Sequence, residues 1–594
     1  MTPTASPAML DGVGRDVVMR KLLWLLVAAG ALAISGTGAR DAFAGSVVVN
    51  TASDHAPDGV CDTADCTFRE AIQAVEASQT IAFNIDGDGP HIIQLSSAMD
   101  GLFRQSVTID GYTQPGAAPN TAAAWTPGNA DIRIALDGST IPGGQDSWGL
   151  WLSAKNLTIR GLSFVNFDDE AIKFATFPSA AIKGNYIGLY PAGQLGPNAV
   201  GITLRSSEPG NLIGGYMPAD RNVISGNTGA GLAVTGSSEV AIAGNFVGTD
   251  ASGSLARPNG GNGIDMKGGP ESTIGGALNG SGNLVSGNAG NGIAISTSDG
   301  HGLNVKGNRI GTTADGESPL PNQLNGVYLA QDASGVTIGG EFNPREENII
   351  AFNAKAGVSL AASAGTQNYI DPNKAYSNGG LGSDLLDDGA VLENDTGDGD
   401  TGPNNRMNYP VMTSIVFSGT KLTVDGYLDT VPMKFNNMFF FANAECDPSG
   451  YGEGELFLGS YGINSGQTGI GQFQRVFTSP ALGGRGFITM SASDPESSSE
   501  FSRCLSVDIA PDYNCDNLIN QGDPLALVAQ LATGDRGPSG ANCTEIGVQL
   551  GDGKFGDPDC DGQLTPRDAL VLMIALAGAD QLPLPQGCSI LLPS

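Results

Sequence analysis

One repeat between residues 156 and 360 constrains this chain more than any other feature. Gly-Asn recurs at Gly184-Asn185, Gly226-Asn227, Gly244-Asn245, Gly287-Asn288 and Gly307-Asn308, and Ile-Gly-Gly at 213–215, 274–276 and 338–340. Glycine followed by an apolar β-former occurs at Gly201, Gly231, Gly263, Gly292, Gly326 and Gly357, at intervals of 30, 32, 29, 34 and 31 residues. Each unit reads as three short strands joined by Gly, Asn and Ser turns. No strand of three to five residues buries a core alone, so the units must stack into a solenoid. The absence of helical crossovers and the short period predict a parallel β-helix, since a propeller blade needs a longer repeat and antiparallel hairpins. Asn and Gly accept positive φ, which suits the corner in every coil.

Side chains alternate in and out along a strand, so the repeat can be read in columns. One sheet points Ile172, Ile202, Leu232, Ile264, Ile293, Val327 and Val358 inward, and Lys173, Thr203, Ala233, Asp265, Ala294, Tyr328 and Ser359 outward. A second sheet presents Lys183, Gly214, Ala243, Gly275, Lys306 and Gly339, and a third presents Gly188, Ser225, Gly248, Ser286, Gly311 and Ala351. No face carries two adjacent carboxylates. Lys173 and Asp265 are three coils apart, roughly 14 Å, whereas a glycosidase places its two carboxyl groups about 5–9.5 Å apart. A lyase needs a base beside a calcium held by acids, and the columns contain no such cluster. The densest acidic turn, Asp168-Asp169-Glu170, reads as a solvated turn; Asp168 and Asp169 are the catalytic candidates if there is chemistry. His301, between two glycines, falls in the turn before a strand.

The strings NYIGLYPAG (185–193), NLIGGYMPADRNVISGNTGAGL (211–232) and NFVGTDASG (245–253) resemble the right-handed β-helix repeats of large secreted bacterial proteins of the pectin-lyase-like group. That scaffold carries lyases, hydrolases, epimerases, adhesins and inert stalks, so the resemblance implies a fold rather than an activity.

The flanks give the remaining organisation. Met19-Arg20-Lys21, the apolar run Leu22–Ile34 and Ala42-Phe43-Ala44 read as a secretory signal peptide, with Met19 as an alternative start. No second long apolar segment follows, so no transmembrane span is expected in the mature chain, and export makes disulfides plausible. A net charge of −32 argues against nucleic acid as a partner. Cys61 and Cys66 flank a short acidic loop and are expected to pair; Thr67 or Asp65 caps a helix-like run from Arg69 to Ala77. CTFREAIQA (66–74) resembles the CSLREA motif that opens many secreted β-helix proteins, and the segment is read as the solenoid's cap.

After an Asp-, Gly- and Asn-rich stretch, read as an ordered acidic linker with Asp395, Asp398 and Asp400 as a lesser calcium reading, alternating strands from about Met407 to Asp508 predict a β-sandwich. ECDPSGYGEGELFLGS (445–460) and EFSRC (500–504) resemble an Ig-like module, and Cys446 and Cys504 are expected to pair. Two twelve-residue loops close the chain. The first offers Asp512, Asn514, Asp516, the Leu518 carbonyl, Asn520 and Asp523, and the second Asp557, Asp559, Asp561, the Gln563 carbonyl, Thr565 and Asp568. Oxygen ligands at positions 1, 3, 5, 7, 9 and 12 wrap Ca²⁺. Each loop leads into an apolar helix, and the pair resembles a type I dockerin, which implies a cohesin-like protein or cell-surface component as partner. Cys515 and Cys543 lie 28 residues apart, as do Cys560 and Cys588; similarity to dockerin-like repeats of exported proteins implies that each pair forms a disulfide.

The expected organisation is an extension and signal peptide (1–44), cap (45–95), parallel β-helix (96–405), β-sandwich (406–508) and dockerin-like calcium domain (509–594). The expected function is a secreted or surface-associated, non-catalytic display or polysaccharide-contacting scaffold, attached through its calcium tail. The alternative is a polysaccharide-active lyase or glycoside hydrolase.

Overall fold

The computed structural model describes residues 45–509, except 56, 58, 176–178, 207, 298–299, 341–342, 371, 419–420 and 479, and then 524–525, 527–528, 549–550, 553–554 and 565–576. Three parallel sheets of eleven, ten and ten strands run the length of a solenoid. The first runs from Ser46–Val49 to Tyr369–Ile370, the second from His91–Gln94 to Lys374–Tyr376, and the third from Gly101–Leu102 to Ser383–Asp384. The chain is mainly β: a parallel β-helix followed by antiparallel sheets and a small helical part.

Register follows the apolar columns. In the third sheet Ile172 pairs with Ile202, Leu232, Ile264, Ile293, Val327 and Val358 in succession, and Lys173 leads the outward column through Thr203, Ala233, Asp265, Ala294, Tyr328 and Ser359. In the first sheet Ile159, Ile182, Ile213, Ile242, Ile274, Val305, Ile338 and Ile370 stack in the same way, all buried. A one-residue slip would turn every such side chain to solvent, so the pattern fixes the register.

The Gly-Asn turns divide the work between their two residues. The five glycines all have φ between +62° and +77°. The asparagines act through their side chains rather than through φ. Asn222 Nδ2 donates to Asn245 Oδ1 (2.8 Å) and to the Ile182 carbonyl (2.8 Å), and the same step repeats through Asn283, Asn308, Asn348 and Asn373. A second ladder runs Asn198, Asn227, Asn259, Asn288, Asn322, Asn353, Asn378. Each rung satisfies backbone groups that the turn leaves unpaired inside the coil.

Both ends of the solenoid are covered. At the amino end, residues 45–95, expected as a cap, also supply the first strands of two sheets, Ser46–Val49, Thr80–Phe83 and His91–Gln94. Helix α1 (Phe68–Ala74) packs Phe68, Ala71 and Ile72 into the solenoid core. Thr67 caps it in a reciprocal box with Glu70, which settles the choice between Thr67 and Asp65. The extended conformation of Val75 ends the helix before the expected Ala77. Arg69 is held by Asp54 (Nε and Nη2, both 3.0 Å) and by the Ser97 and Ala98 carbonyls. Arg69 and Glu70 thus serve the fold.

At the other end stand a five-stranded antiparallel sheet and a four-stranded sheet, built from Val411–Ser418 to Asp508–Ile509; in the four-stranded sheet three strands run antiparallel and Asp508–Ile509 is the fourth, pairing in parallel. Apolar side chains such as Val424, Phe440 and Met490 form their common core. This module supplies the partners that the last coil lacks. Glu453 Oε1 accepts from Asn378 Nδ2 (2.9 Å) and N (3.1 Å), standing where the next ladder asparagine would be. Glu500 accepts from the Leu385 and Leu392 amides, both at 2.9 Å. Ser498 Oγ accepts from Ile370 N, and Gly454 exchanges two hydrogen bonds with Ala375. Disulfides join Cys61 to Cys66 and Cys446 to Cys504. No helix among the described residues is long and apolar enough to cross a membrane.

Candidate functional site

The outward column of the third sheet continues beyond Lys173 toward the amino end. Lys173 pairs with Trp151, and Trp151 with Gly101. That extra coil builds an aromatic platform. The Trp148 and Trp151 rings meet edge to face at 5.8 Å, and Phe103 meets Trp151 at 5.9 Å. Gly101 makes room for them: a Cβ there would sit 2.8 Å from Phe103 Cζ and 3.2 Å from Trp151 Cε3. Trp148 is fixed by its indole N–H, which donates to the Met99 carbonyl (2.9 Å), while Phe103 stays 64% exposed.

Charge borders the platform. Lys173 Nζ lies 4.3 Å over the Trp148 ring, a cation–π contact, and 3.7 Å from Glu170. Arg205 reaches the same carboxylate at 4.0 Å. Asp169 Oδ2 accepts from Ser147 N (2.9 Å), and Asp168 N donates to Ser147 Oγ (3.1 Å). The acidic turn is therefore tied to the residue preceding Trp148. Asp168 is exposed, Asp169 and Glu170 half-buried. Further along, small residues, Thr203, Ala233 and Ala294, flank Asp265, which is held by Lys267 (3.6 Å) and Asn262 (3.1 Å). Tyr328 then rises near Asp387, whose Oδ1 accepts from Ser359 and Asn325. Six strand spacings separate Trp151 from Tyr328, roughly 29 Å of shallow track. Along it Lys173, Ala233, Asp265 and Tyr328 are half-buried, whereas Thr203, Ala294 and, past Tyr328, Ser359 are buried rather than turned to solvent as expected.

The other two faces differ. The Lys183 face carries ion pairs, Lys183–Asp220 (3.4 Å) and Lys306–Glu346 (2.9 Å), around glycines. The column Gly188, Ser225, Gly248, Ser286, Gly311, Ala351 does not reach solvent as expected. Ser225, Ser286 and Ala351 are fully buried. The hydroxyl of Ser225 serves the Thr249 carbonyl and the Gly248 amide. The cover is local: the short hairpin closed by Thr249 and Ala256 brings the Thr249 carbonyl to Ser225, and Ser286 Oγ accepts from the Gly311 amide of the next coil. The connection around 114–133 lies on the neighbouring column, where Tyr112, Trp125 and Ala130 pack with Tyr186, Val223, Phe246 and Leu284, and Arg221 holds its Ala123 and Thr126 carbonyls. His301 is exposed in its turn, 4.0 Å from Glu271.

Sequence reasoning located Asp168 and Asp169 but missed the rings beside them. Trp148, Trp151 and Phe103 lie one to two coils before Ile172, at the amino end of the regular repeat. Extending the Ile172 column back to Leu150 would have placed Trp151 next to Lys173. Asp395 and Asp398 hold their segment by accepting from the Gly399 and Asn408 amides. Of the twelve calcium-loop positions, only Thr565 and Asp568 fall among the described residues. Asp568 is buried, and its Oδ2 accepts from Thr565 N (2.6 Å) and Oγ1 (3.2 Å) at the start of helix α2 (Pro566–Leu576). Asp512, Asn514, Asp516, Leu518, Asn520, Asp523, Asp557, Asp559, Asp561 and Gln563, with Cys515, Cys543, Cys560 and Cys588, lie outside them.

No curated protein matches the chain. Among solved structures, the enzymatically active domain of tailspike protein 2 from bacteriophage CBA120 is similar over 73% of each chain, at 11% identity and a TM-score of 0.26. A periplasmic alginate epimerase is similar at 12% identity and 0.25, covering 52% of this chain and 70% of its own. The catalytic unit of an α-1,3-glucanase from Streptomyces thermodiastaticus is similar at 10% identity and 0.22, covering 60% and 71%. Likeness at this level says nothing of what this chain does. The family model described as a right handed beta helix region matches residues 215–396, and over those residues the chain is a right-handed β-helix.

Proposed function

We propose that this is a secreted or surface-associated β-helix protein that contacts polysaccharide along the Trp151–Tyr328 track without cleaving it. The observation that carries the reading is the Phe103–Trp151–Trp148 platform with Lys173 at its edge. The exposed Phe103 ring and the half-buried Trp148 and Trp151 rings offer apolar surface for the C–H face of a sugar, and the bordering Lys, Glu and Asp groups match hydroxyls. The acidic turn serves this platform structurally: Asp169 fixes the Ser147 amide, and Glu170 is engaged by Lys173 and Arg205. A lyase or hydrolase centred on Asp168 and Asp169 is the competing reading.

In this account residues 1–44 deliver the chain for export, the segment 45–95 is a CSLREA-type cap and 406–508 an Ig-like module. Residues 509–594 form a dockerin-like calcium domain that attaches the protein to a cohesin-like or cell-surface partner. The all-oxygen donor set suits Ca²⁺, and Asp568, buried and fixed against Thr565, suits the closing ligand of the second loop. When bound, Ca²⁺ orders both loops.

Affinity electrophoresis of residues 45–594 in gels containing pectin, alginate, xylan or a glycosaminoglycan tests the reading. Retardation by at least one polymer is expected, with Trp148→Ala and Trp151→Ala each weakening it about tenfold, the equivalent of about 1.4 kcal/mol. Retardation unchanged in both variants would overturn the assignment of the face.

A further inference from the structure

A second site lies at the corner between the first and second sheets, on a different side of the solenoid from the track. A cavity of about 370 Å³ opens there between the stacked turns around 276–282 and 344–347. Its lining includes Trp125, Asn279, Arg309, Arg345, Glu347 and Lys374. The chain has only 29 Lys and Arg residues against 61 Asp and Glu. Placing three cations around one cavity is therefore a local inversion of its charge.

The walls are built rather than accidental. Trp125 comes from the long connection that crosses the second sheet. Gly282 receives it, since a Cβ there would stand 1.9 Å from the Gly307 carbonyl and 2.8 Å from Trp125 Cζ2. The Arg309 guanidinium lies 4.2 Å over the Trp125 ring and donates to the Ala314 carbonyl, which holds it in place. Arg345 is exposed and enters no ion pair among the described residues. Lys374 meets Glu347 only at 4.0 Å. The neighbouring acids are already engaged: Glu346 by Lys306 (2.9 Å), and Asp315 by the Thr313 hydroxyl and the Glu317 amide.

We propose that this cavity binds an anionic sugar unit. The carboxylate or sulfate would lie among Arg345, Lys374 and Arg309, the ring against Trp125, and a hydroxyl would donate to Glu347. A small inorganic anion matches the set less well, because it leaves most of the volume empty and gains nothing from an indole or a carboxylate acceptor. The proposal does not depend on the Trp148–Trp151 platform.

Isothermal titration of residues 45–594 with a uronate disaccharide, a sulfated disaccharide, a neutral disaccharide and inorganic phosphate tests it. Saturable binding of at least one of the two anionic sugars is expected, with the pair of titrations deciding between carboxylate and sulfate. Arg345→Ala and Lys374→Gln, both at partly exposed positions, should each weaken it at least fivefold at unchanged melting temperature. Trp148→Ala should leave it intact. Absence of binding by both anionic sugars, equal binding of the neutral sugar or of phosphate, or full affinity in the Arg345→Ala/Lys374→Gln double variant would overturn it.

Discussion

The junction between the solenoid and the antiparallel module should weaken as pH rises from acid to neutral, and two glutamates set that dependence. Glu453 closes the second asparagine ladder and Glu500 closes the last strands of the third sheet. Burial pushes both carboxyls from an ordinary value of 4.5 up to about 7, against the lowering effect of the N–H donors. Between those values the folded protein keeps a proton that the unfolded chain has released. The stabilisation is fully present below pH 4.5 and is lost as pH rises through about 7. That span corresponds to on the order of 3 kcal/mol for each residue. Glu453→Gln keeps an oxygen for Asn378 and removes the titration. Thermal unfolding at pH 5, 6, 7 and 8 would be compared for wild type, Glu453→Gln and Glu453→Gln/Glu500→Gln. At pH 8 the variants should be the more stable, by an increment that shrinks to nothing near pH 4.5. A variant-minus-wild-type difference that is flat with pH, or grows toward acid, would refute the reasoning.

Other consequences follow from single contacts. Asn283→Ala removes acceptors for the Asn245 amide and side chain, and donors to Asn308 and the Ile242 carbonyl; denaturant unfolding should show a loss of about 3 kcal/mol or more. Arg69→Ala leaves Asp54 buried without its cation, its side chain 2% exposed, and should cost about 3–5 kcal/mol in the same assay. Cys446→Ser with Cys504→Ser opens a loop of 58 residues, for which chain entropy gives about 4 kcal/mol. Chelation should speed proteolysis after residue 509, and Asp557→Ala should make that region cleavable even in calcium; equal cleavage in calcium and chelator would remove the metal from the account.

The solenoid was legible because each coil repeats one inward aliphatic position, and repetition averages out local ambiguity. Ile172 and Lys173 therefore fell in the columns expected of them. The Ser225 column did not, because its hydroxyls are taken up by the next coil, Ser225 by the Thr249 carbonyl and the Gly248 amide and Ser286 by the Gly311 amide, and an in–out alternation does not tell a small residue that bonds the next coil from one that meets solvent. The ladder role of the asparagines was hidden for a related reason: a residue that tolerates turns and a residue that stacks its amide look alike in sequence. Trp148 and Trp151 sit in an atypical early coil, with Leu150 only 22 positions before Ile172, so the thirty-residue period passed over them. Glu453 and Glu500 were illegible as ladder ends because their partners lie 75 and at least 108 positions away.

The claim that the track holds a polysaccharide and leaves it whole is tested most directly by a degradation screen. Residues 45–594 in calcium would be incubated with pectin, alginate, xylan and glycosaminoglycans, following reducing ends and the ultraviolet absorbance of unsaturated products. The account predicts no product from any polymer, including one that retards the protein in a gel. Product formation that disappears in Asp168→Asn or Asp169→Asn would contradict it and make the turn beside Trp148 an active site.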